Sequence, residues 1–556
     1  MSEQSSSSSS SSPSLLSLAP RGGLSDLTLL KIINDLECNQ DIVCLLMTCK
    51  AYYREFKKMY AQVITFKGIK PDDTRRLYAG THMYSVVSSH MQPFKEIFNA
   101  SLLAFQTKKA LELSKPTTTT SLAIHSVWPT RESILESVED PTQVTSLSLN
   151  EFSDEIKDIP PLLTSITTMT VHFKTILPRF PSSISQWPSL TSLTINSYRV
   201  LPVDVQFPPS LTHLEISYAC RDVFSVDLSN LTSLTDLLCL RLPLDPHTMK
   251  QSFFPPNLQH LSMDYRFFGS TKPPPKVTKM SMGTSSRLPP DFFPHGLLRL
   301  ELYLINGAVL DPWTLPHGLE ILHISHCECT VSSEFIPDSV KDLWVNVINP
   351  EKAIFPSGLV KFATSTNYES PFNYPPTLRK LLYERGDYPP PIIYLPTSLE
   401  KFECHITKIQ DTSIFILPTT MIINNDNSSI TDNPLHFILP HRLKKLNIEC
   451  SDVPLHNDDC SIRIDQIINC SNVEHIHLGL TVLTTLDIYI RRLDNGYVMM
   501  NLGETFFGGI YRQQRRLGNI IDLENKSPLD FRAIYLNFRK NGNHIHIYPS
   551  NTPIKK

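Results

Sequence analysis

The stretch FPPSLTHLEI, residues 207–216, decides the reading of the whole chain. Leu214 and Ile216 stand two apart and point to the same face of a strand, while His213, Glu215 and Ser217 point to the other. The proline before Leu211 lacks an N–H, so it belongs at the strand entrance or in the turn and not in a hydrogen-bonded ladder. One strand of this kind cannot bury its own apolar face. The same wording recurs as FPPNLQHLSM (254–263), LPHGLEILHI (315–324), LPTSLEKFEC (395–404) and LPHRLKKLNI (439–448).

Taking the first Leu-like residue of each copy as an anchor gives Val144, Ile166, Leu190, Leu211, Leu234, Leu258, Val277, Leu297, Leu319, Val340, Leu359, Leu378, Leu399, Met421, Leu443 and Val473. Successive gaps are 19 to 24 residues, except the last, which is 30. A period of about 20 to 29 with Leu-x-x-Leu-x-Leu is that of leucine-rich-type solenoids. Stacking successive strands about 4.8 Å apart makes a parallel sheet over a continuous core. Each buried Leu or Ile contributes roughly 1.5 to 3 kcal/mol. The repeat after Met421 breaks the rule with Asn424 and Asp426 at its inward positions, where the strand is expected to bulge or end.

The expected fold is α+β: a mostly β leucine-rich-repeat-like solenoid of parallel strands about every 21 residues, an N-terminal helical module and a C-terminal cap. The expected domains are a Ser-rich tail (1–20), a helical module (21–66), a linking region and N-terminal cap (67–140), the solenoid (141–480) and a C-terminal cap (481–556). The repeats resemble the FNIP family, best at Tyr388, Pro391 and Ile392 followed by Leu395, Pro396, Ser398, Leu399 and Phe402. The Phe-Asn half of that motif is degenerate elsewhere, as at Tyr368 and Pro371. In the cap, strands are expected at Leu483 to Ile490, Phe531 to Phe538 and His544 to Ile547, with a short helix over Thr505 to Leu517.

Composition excludes more than it assigns. At 556 residues the chain exceeds one compact core, and its net charge of -3 gives no general reason to expect nucleic acid or anionic membrane. Pro is abundant at 44 and Gly scarce at 18, against Gly-rich phosphate loops. Eleven Cys without a C-x-x-C pair read as reduced thiols, hence a cytoplasmic or nuclear setting. Cys327 and Cys329 beside His326 could ligate a metal only if a second pair folded nearby. The opening residues, Ser5 to Ser12 included, lack the cationic and apolar regions of a targeting segment, and no stretch approaches the roughly 20 apolar residues of a membrane helix. No G-x-S-x-G, H-E-x-x-H, P-loop or kinase signature appears. The expectation is a non-enzyme with no catalytic residues, no metal and no cofactor, binding neither nucleic acid nor membrane.

Near the N-terminus, Leu29, Ile32, Ile33 and Leu36 fall at i, i+3, i+4, i+7, and Ile42, Leu45, Leu46 and Cys49 repeat the spacing. Ser25 or Asp26 can cap the first helix and Asp41 the second; Tyr52, Phe56 and Tyr60 share a face of a third. A further helix is expected over Phe94 to Leu113. The module resembles an F-box at Leu24, Leu29, Leu30, Ile33, Leu36, Asp41, Ile42, Leu45, Cys49 and Lys50, with Tyr52 or Tyr53 for the usual Trp and Ser25 for the usual Pro. The resemblance implies docking to a Skp-type adaptor of a cullin-RING ubiquitin ligase, with the solenoid holding the substrate. The alternative is a free-standing scaffold, monomeric outside any complex, whose N-terminal helices only cap the solenoid.

Stacking also lines up outward residues. The column two after each anchor reads His213, His260, Lys279, Arg299, Ile321, Asp342, Lys361, Lys380, Lys401, Lys445, mostly basic. Neighbouring lysines repel by about 1 kcal/mol each in water. The next column carries Glu215, Glu301 and Glu403 with Trp344 and Leu382. Trp344, Lys361, Lys380, Leu382 and Lys401 are therefore candidates for a face binding an acidic or phosphorylated protein segment. Lysine stems that merely cover apolar sheet are the competing reading.

Overall fold

The computed structural model describes residues 26–36, 45, 121–124, 141–150, 163–173, 185, 187–197, 206–217, 228–240, 254–268, 271–305, 310–329, 331–347, 349–365, 373–384, 392–406, 415–416, 436–450, 460–464, 467–468, 471–481, 484–493, 497–502, 507–512, 535–541 and 544–550. The chain divides into two units, residues 1–115 with 491–512 and residues 116–490 with 513–556.

The strands in chain order are β1 (Ser121–Ile124), β2 (Ser146–Asn150), β3 (Thr168–Phe173), β4 (Ser192–Ser197), β5 (His213–Ser217), β6 (Asp236–Leu240), β7 (His260–Ser262), β8 (Lys279–Thr284), β9 (Arg299–Leu304), β10 (Ile321–Cys329), β11 (Asp342–Val347), β12 (Lys361–Thr364), β13 (Lys380–Glu384), β14 (Ile392–Tyr394), β15 (Lys401–Ile406), β16 (Phe415–Ile416), β17 (His436–Ile438), β18 (Lys445–Cys450), β19 (Cys460–Arg463), β20 (His475–Thr481), β21 (Thr484–Leu493), β22 (Tyr497–Leu502), β23 (Phe507–Arg512), β24 (Tyr535–Asn541) and β25 (His544–Ser550).

In the larger unit, β1 to β13, β15, β18 and β20 pair in parallel, each with the next. The register is one repeat per strand, so Leu214, Leu322 and Leu446 fall in a single row of the sheet. The anchors that feed the sheet, Val144 to Val473, are none more than 1% exposed. Two inward rows run beside them, one through Leu147, Leu214, Leu322, Phe402 and Ile476, the other through Val171, Ile216, Ile324, Cys404 and Leu478, all buried. Three side chains per coil thus form one continuous core, which is what makes the short strands stable together when none is stable alone.

The motif before each strand has a specific job in the turn. The Pro carbonyl accepts the anchor's N–H, as in Leu211 to Pro208 at 3.2 Å and Leu443 to Pro440 at 3.0 Å, closing a four-residue turn in which the missing proline donor costs nothing. The residue just before the anchor then reaches back one coil. Ser210, Ser339 and Ser398 Oγ each donate 2.7 Å to the carbonyl of the preceding anchor, Leu190, Leu319 and Leu378 respectively. Ser398 is buried, so Ser398→Ala should cost about 1–2 kcal/mol by stranding the Leu378 carbonyl, read as a lower unfolding midpoint in a chemical melt.

The carbonyl one past each anchor accepts two successive N–H groups from the next coil; Thr167 O receives Thr191 N and Ser192 N, both at 2.9 Å. In the first coils this position is threonine, and its hydroxyl joins the same carbonyl, Thr191 Oγ1 to Thr167 O at 3.1 Å and Thr212 Oγ1 to Thr191 O at 3.1 Å. Later coils replace the threonines with ion pairs, Lys341 Nζ to Glu320 Oε1 at 2.7 Å and, at 3.6 Å each, Arg379 with Glu400 and Lys444 with Glu474.

Two departures from the sequence reading change the stack. The sheet includes β1, one coil upstream of the first anchor, because Ser121 pairs with Ser146. And β15 pairs directly with β18, Lys401 opposite Lys445, so the Met421 repeat contributes no strand to this sheet. The bulge or end expected at Asn424 and Asp426 of that repeat lies outside the described residues. Strand β16, just before Met421, instead joins β14 and β17 in a separate three-stranded parallel sheet of order β14, β17, β16.

Beyond β20 the parallel run ends in the antiparallel β21, and β19, β24 and β25 form a further antiparallel sheet. The smaller unit holds a helix α1 (Asp26–Asp35) and the β22–β23 hairpin, Met500 opposite Gly509. The helix expected over Thr505 to Leu517 is thus corrected to a strand over Phe507–Arg512. Gly508 and Gly509 each cost a helix about 1 kcal/mol, while Phe507, Ile510 and Tyr511 favour a strand. The second and third N-terminal helices and that over Phe94 to Leu113 lie outside the described residues, apart from Leu45, which is helical.

Candidate protein-binding face

The outward side chains of β10 to β21 form two adjoining columns whose order follows from the strand register. The first runs Asp342, Lys361, Lys380, Lys401, Lys445, His475. The second runs His323, Trp344, Ala363, Leu382, Glu403, Asn447, His477, then Asp487 on β21. All five residues expected on this face, Trp344, Lys361, Lys380, Leu382 and Lys401, are brought onto four neighbouring strands. Lys445 is closer to them than the sequence count suggests, because the Met421 repeat is left out of the sheet.

The apolar part is a shallow step. Trp344 and Leu382 are half-buried and flank Ala363, which is only 1% exposed although it points away from the core rows. The Trp344 ring meets His323 edge-on at 5.5 Å between centroids. His323 Nε2 stands 3.5 Å from Asp342 Oδ1, and Lys361 Nζ lies 3.1 Å from Asp342 Oδ2. Burial by itself pushes the Asp342 carboxyl up, but His323 and Lys361 outweigh it and hold the group below the usual carboxylate range.

Glu403 organises the middle of the face. Lys401 Nζ lies 3.0 Å from its Oε2, Asn447 Nδ2 donates to the same oxygen at 3.3 Å, and His405 Nε2 stands 3.6 Å from Oε1. His405, then Lys401, overcome the opposing effect of burial and hold this carboxyl at about 2. At the far end Asp487 Oδ1 lies 2.8 Å from both His475 Nε2 and His477 Nδ1, while His477 Nε2 stands 3.3 Å from Glu449 Oε1. His475, burial acting against it, and His477 leave the Asp487 carboxyl lowered. The His475 ring stacks on Tyr489 at 4.6 Å. Gly479 sits opposite Glu449, where a Cβ would clash with the carboxylate. Sequence reasoning passed over Asp342's pairing and this histidine cluster, though the alternation in His475-Ile-His477 was a usable signal.

Of the F-box-like residues, Leu24, Asp41, Ile42, Cys49 and Lys50 lie outside the described residues. Leu29 and Leu30 are in α1, whose Ile33 is 1% exposed while Ile32 is 36% exposed; Leu36 and Leu45 are half-buried. Among the described residues, no group of three His, Cys, Asp or Glu side chains is arranged to hold a metal ion. No described helix is long and apolar enough to cross a membrane.

The stacked Leu-x-x-Leu-x-apolar strands settle the class of fold. It is a leucine-rich-repeat-like solenoid. No family model matches the chain, and no curated protein matches it. Solved structures with a similar fold include CroV588, described as a novel circular LRR protein, at 16% identity, 55% of this chain, 69% of that one and a TM-score of 0.21. TLR13 in complex with ssRNA13 is similar at 15% identity over 56% of each chain, with a TM-score of 0.33. The solenoid's binding chemistry therefore has to be read from its own side chains.

Proposed function

We propose that the chain is a non-enzymatic, protein-binding solenoid whose outward face across β11 to β18 receives an acidic or phosphorylated segment of its partner. The observation that supports this most directly is the apolar step of Trp344, Ala363 and Leu382 beside an uninterrupted run of four lysines. An aromatic anchor next to cations suits recognition of an anionic chain, since the ring supplies contact area and the charges supply orientation. The finer reading joins this face to the N-terminal module. The F-box-like wording of Leu24, Leu29, Leu30, Ile33, Leu36, Asp41, Leu45, Cys49 and Lys50 makes the chain the substrate receptor of a cullin-RING ubiquitin ligase in the cytoplasm or nucleus. A stand-alone FNIP-repeat scaffold is the other reading, supported by the burial of Ile33.

Co-purification with mass spectrometry separates the two. For a ligase receptor, wild type captures a Skp-type adaptor and a cullin, and the variant L29E/L30E/I33E loses both with the solenoid's melting unchanged. For a scaffold, neither is captured and the variant only lowers the unfolding midpoint. In both cases W344A/L382A should release the partner held by the solenoid, and a partner retained by that variant overturns the proposed face.

A further inference from the structure

The face carries a feature that the general reading does not use. In the column from Asp342 to His475 every basic side chain but two lies against an acid: Lys361 meets Asp342, Lys401 meets Glu403, and His475 meets Asp487. The two exceptions are Lys380 and Lys445, both exposed, with no ion-pair partner among the described residues. They flank Lys401 on β13 and β18, with Lys401 neutralised between them.

Resting on the protein-binding reading above, we infer that Lys380 and Lys445 form a two-point clamp for a pair of anionic side chains three residues apart on one polyproline-type segment of the partner. The spacing carries the argument. Neighbouring strands are about 4.8 Å apart, so side chains two strands apart in one column are separated by roughly 9.6 Å. A polyproline helix has three residues per turn and a rise of about 3.1 Å, so positions i and i+3 lie on one side about 9.3 Å apart. An extended strand cannot match this, because its same-face positions i and i+2 are only about 6.6 Å apart and i and i+4 about 13 Å. The apolar step gives a second reason. Trp344, Ala363 and Leu382 lie in the adjoining column on the side of Lys380 away from Lys445, where prolines flanking the anionic pair can pack, as such segments do in aromatic-lined grooves. Because the segment runs along the columns, it crosses the strands and needs no free sheet edge.

The anion can be a carboxylate or a phosphate, and the test includes both. Fluorescein-labelled peptides of one composition carry two Glu, or two phosphoserines, at i and i+3 separated by Pro-Pro, or the same two groups at i and i+1 as a control of equal charge. Anisotropy with the full chain is expected to give about threefold tighter binding for the i, i+3 spacing, since the i, i+1 control still pairs with one lysine and the second exposed ion pair supplies on the order of threefold in affinity. The charge reversal K380E/K445E should remove that preference while leaving the melting curve unchanged. K279E serves as the control, because Lys279 is also exposed, has no ion-pair partner among the described residues and lies on β8, away from the clamp. Whichever peptide series shows the larger spacing preference identifies the anion.

Equal binding of both spacings overturns the clamp, as does an equal loss with K279E. So does tighter binding of a single-stranded RNA of matched charge that is lost in the double variant. A partner protein that cross-links to wild type and still binds K380E/K445E, but not W344A/L382A, overturns the clamp and leaves the broader reading standing.

Discussion

Phe402→Ala is expected to destabilise the solenoid by about 3–5 kcal/mol, the range for deleting a fully buried aromatic side chain. Phe402 is 0% exposed and occupies the inward row between Leu381 and Leu446. Its loss opens a void where two coils meet, and the stiff parallel backbone on either side limits how far the walls can collapse. Because a solenoid's stability is a sum of coil and nearest-neighbour terms, the damage falls on the coupling between β13, β15 and β18. A denaturant melt should therefore show a lower midpoint and a broadened or split transition, as the coils on either side unfold separately. Phe402→Leu is the control: the same row carries leucine in the flanking coils, so it should cost less than about 1.5 kcal/mol. An alanine variant that melts like wild type would mean that this row is not a shared core.

Acid should loosen the outward face before it reaches the core. Glu403 is lowered from an ordinary 4.5 to about 2, and Asp342 and Asp487 are shifted in the same direction. A carboxyl whose folded pKa lies below its unfolded one adds stability that is complete above the unfolded value and vanishes as pH falls through the folded one. For Glu403 that window is pH 4.5 down to about 2. At neutral pH the contribution, once reduced for solvent screening of this half-exposed group, is on the order of 1 kcal/mol. Glu403→Gln should thus lower the melting temperature at pH 7 and make it less dependent on pH between 4.5 and 2, since the glutamine has no proton to gain. If wild type and variant run parallel across that window, Lys401 and His405 do not stabilise the ionised carboxylate.

Much of this was legible beforehand because the repeat encodes its own turn. A proline whose carbonyl closes on the anchor and a small hydroxyl that caps the coil below, as at Pro396 and Ser398, leave a trace that needs no tertiary information. The outward columns were legible for the same reason, since strand alternation sends Lys361, Lys380 and Lys401 to one side. What escaped was the start of the sheet, because the position equivalent to Val144 in the β1 coil is Thr119, which does not read as an anchor. The segment over Thr505 to Leu517 holds a strand because Gly508 and Gly509 disfavour a helix and pair with Asn501 and Met500 across the hairpin.

The amino-acid order alone determined the period, the apolar positions of most coils and which side chains alternate to the outer face, because all of these depend on residues close in sequence. Only the folded chain decided which coils are neighbours. Strand pairing is a long-range choice, and here β15 takes β18 as its neighbour across the intervening repeat. That choice sets Lys401 beside Lys445, and with it the spacing on which the clamp depends.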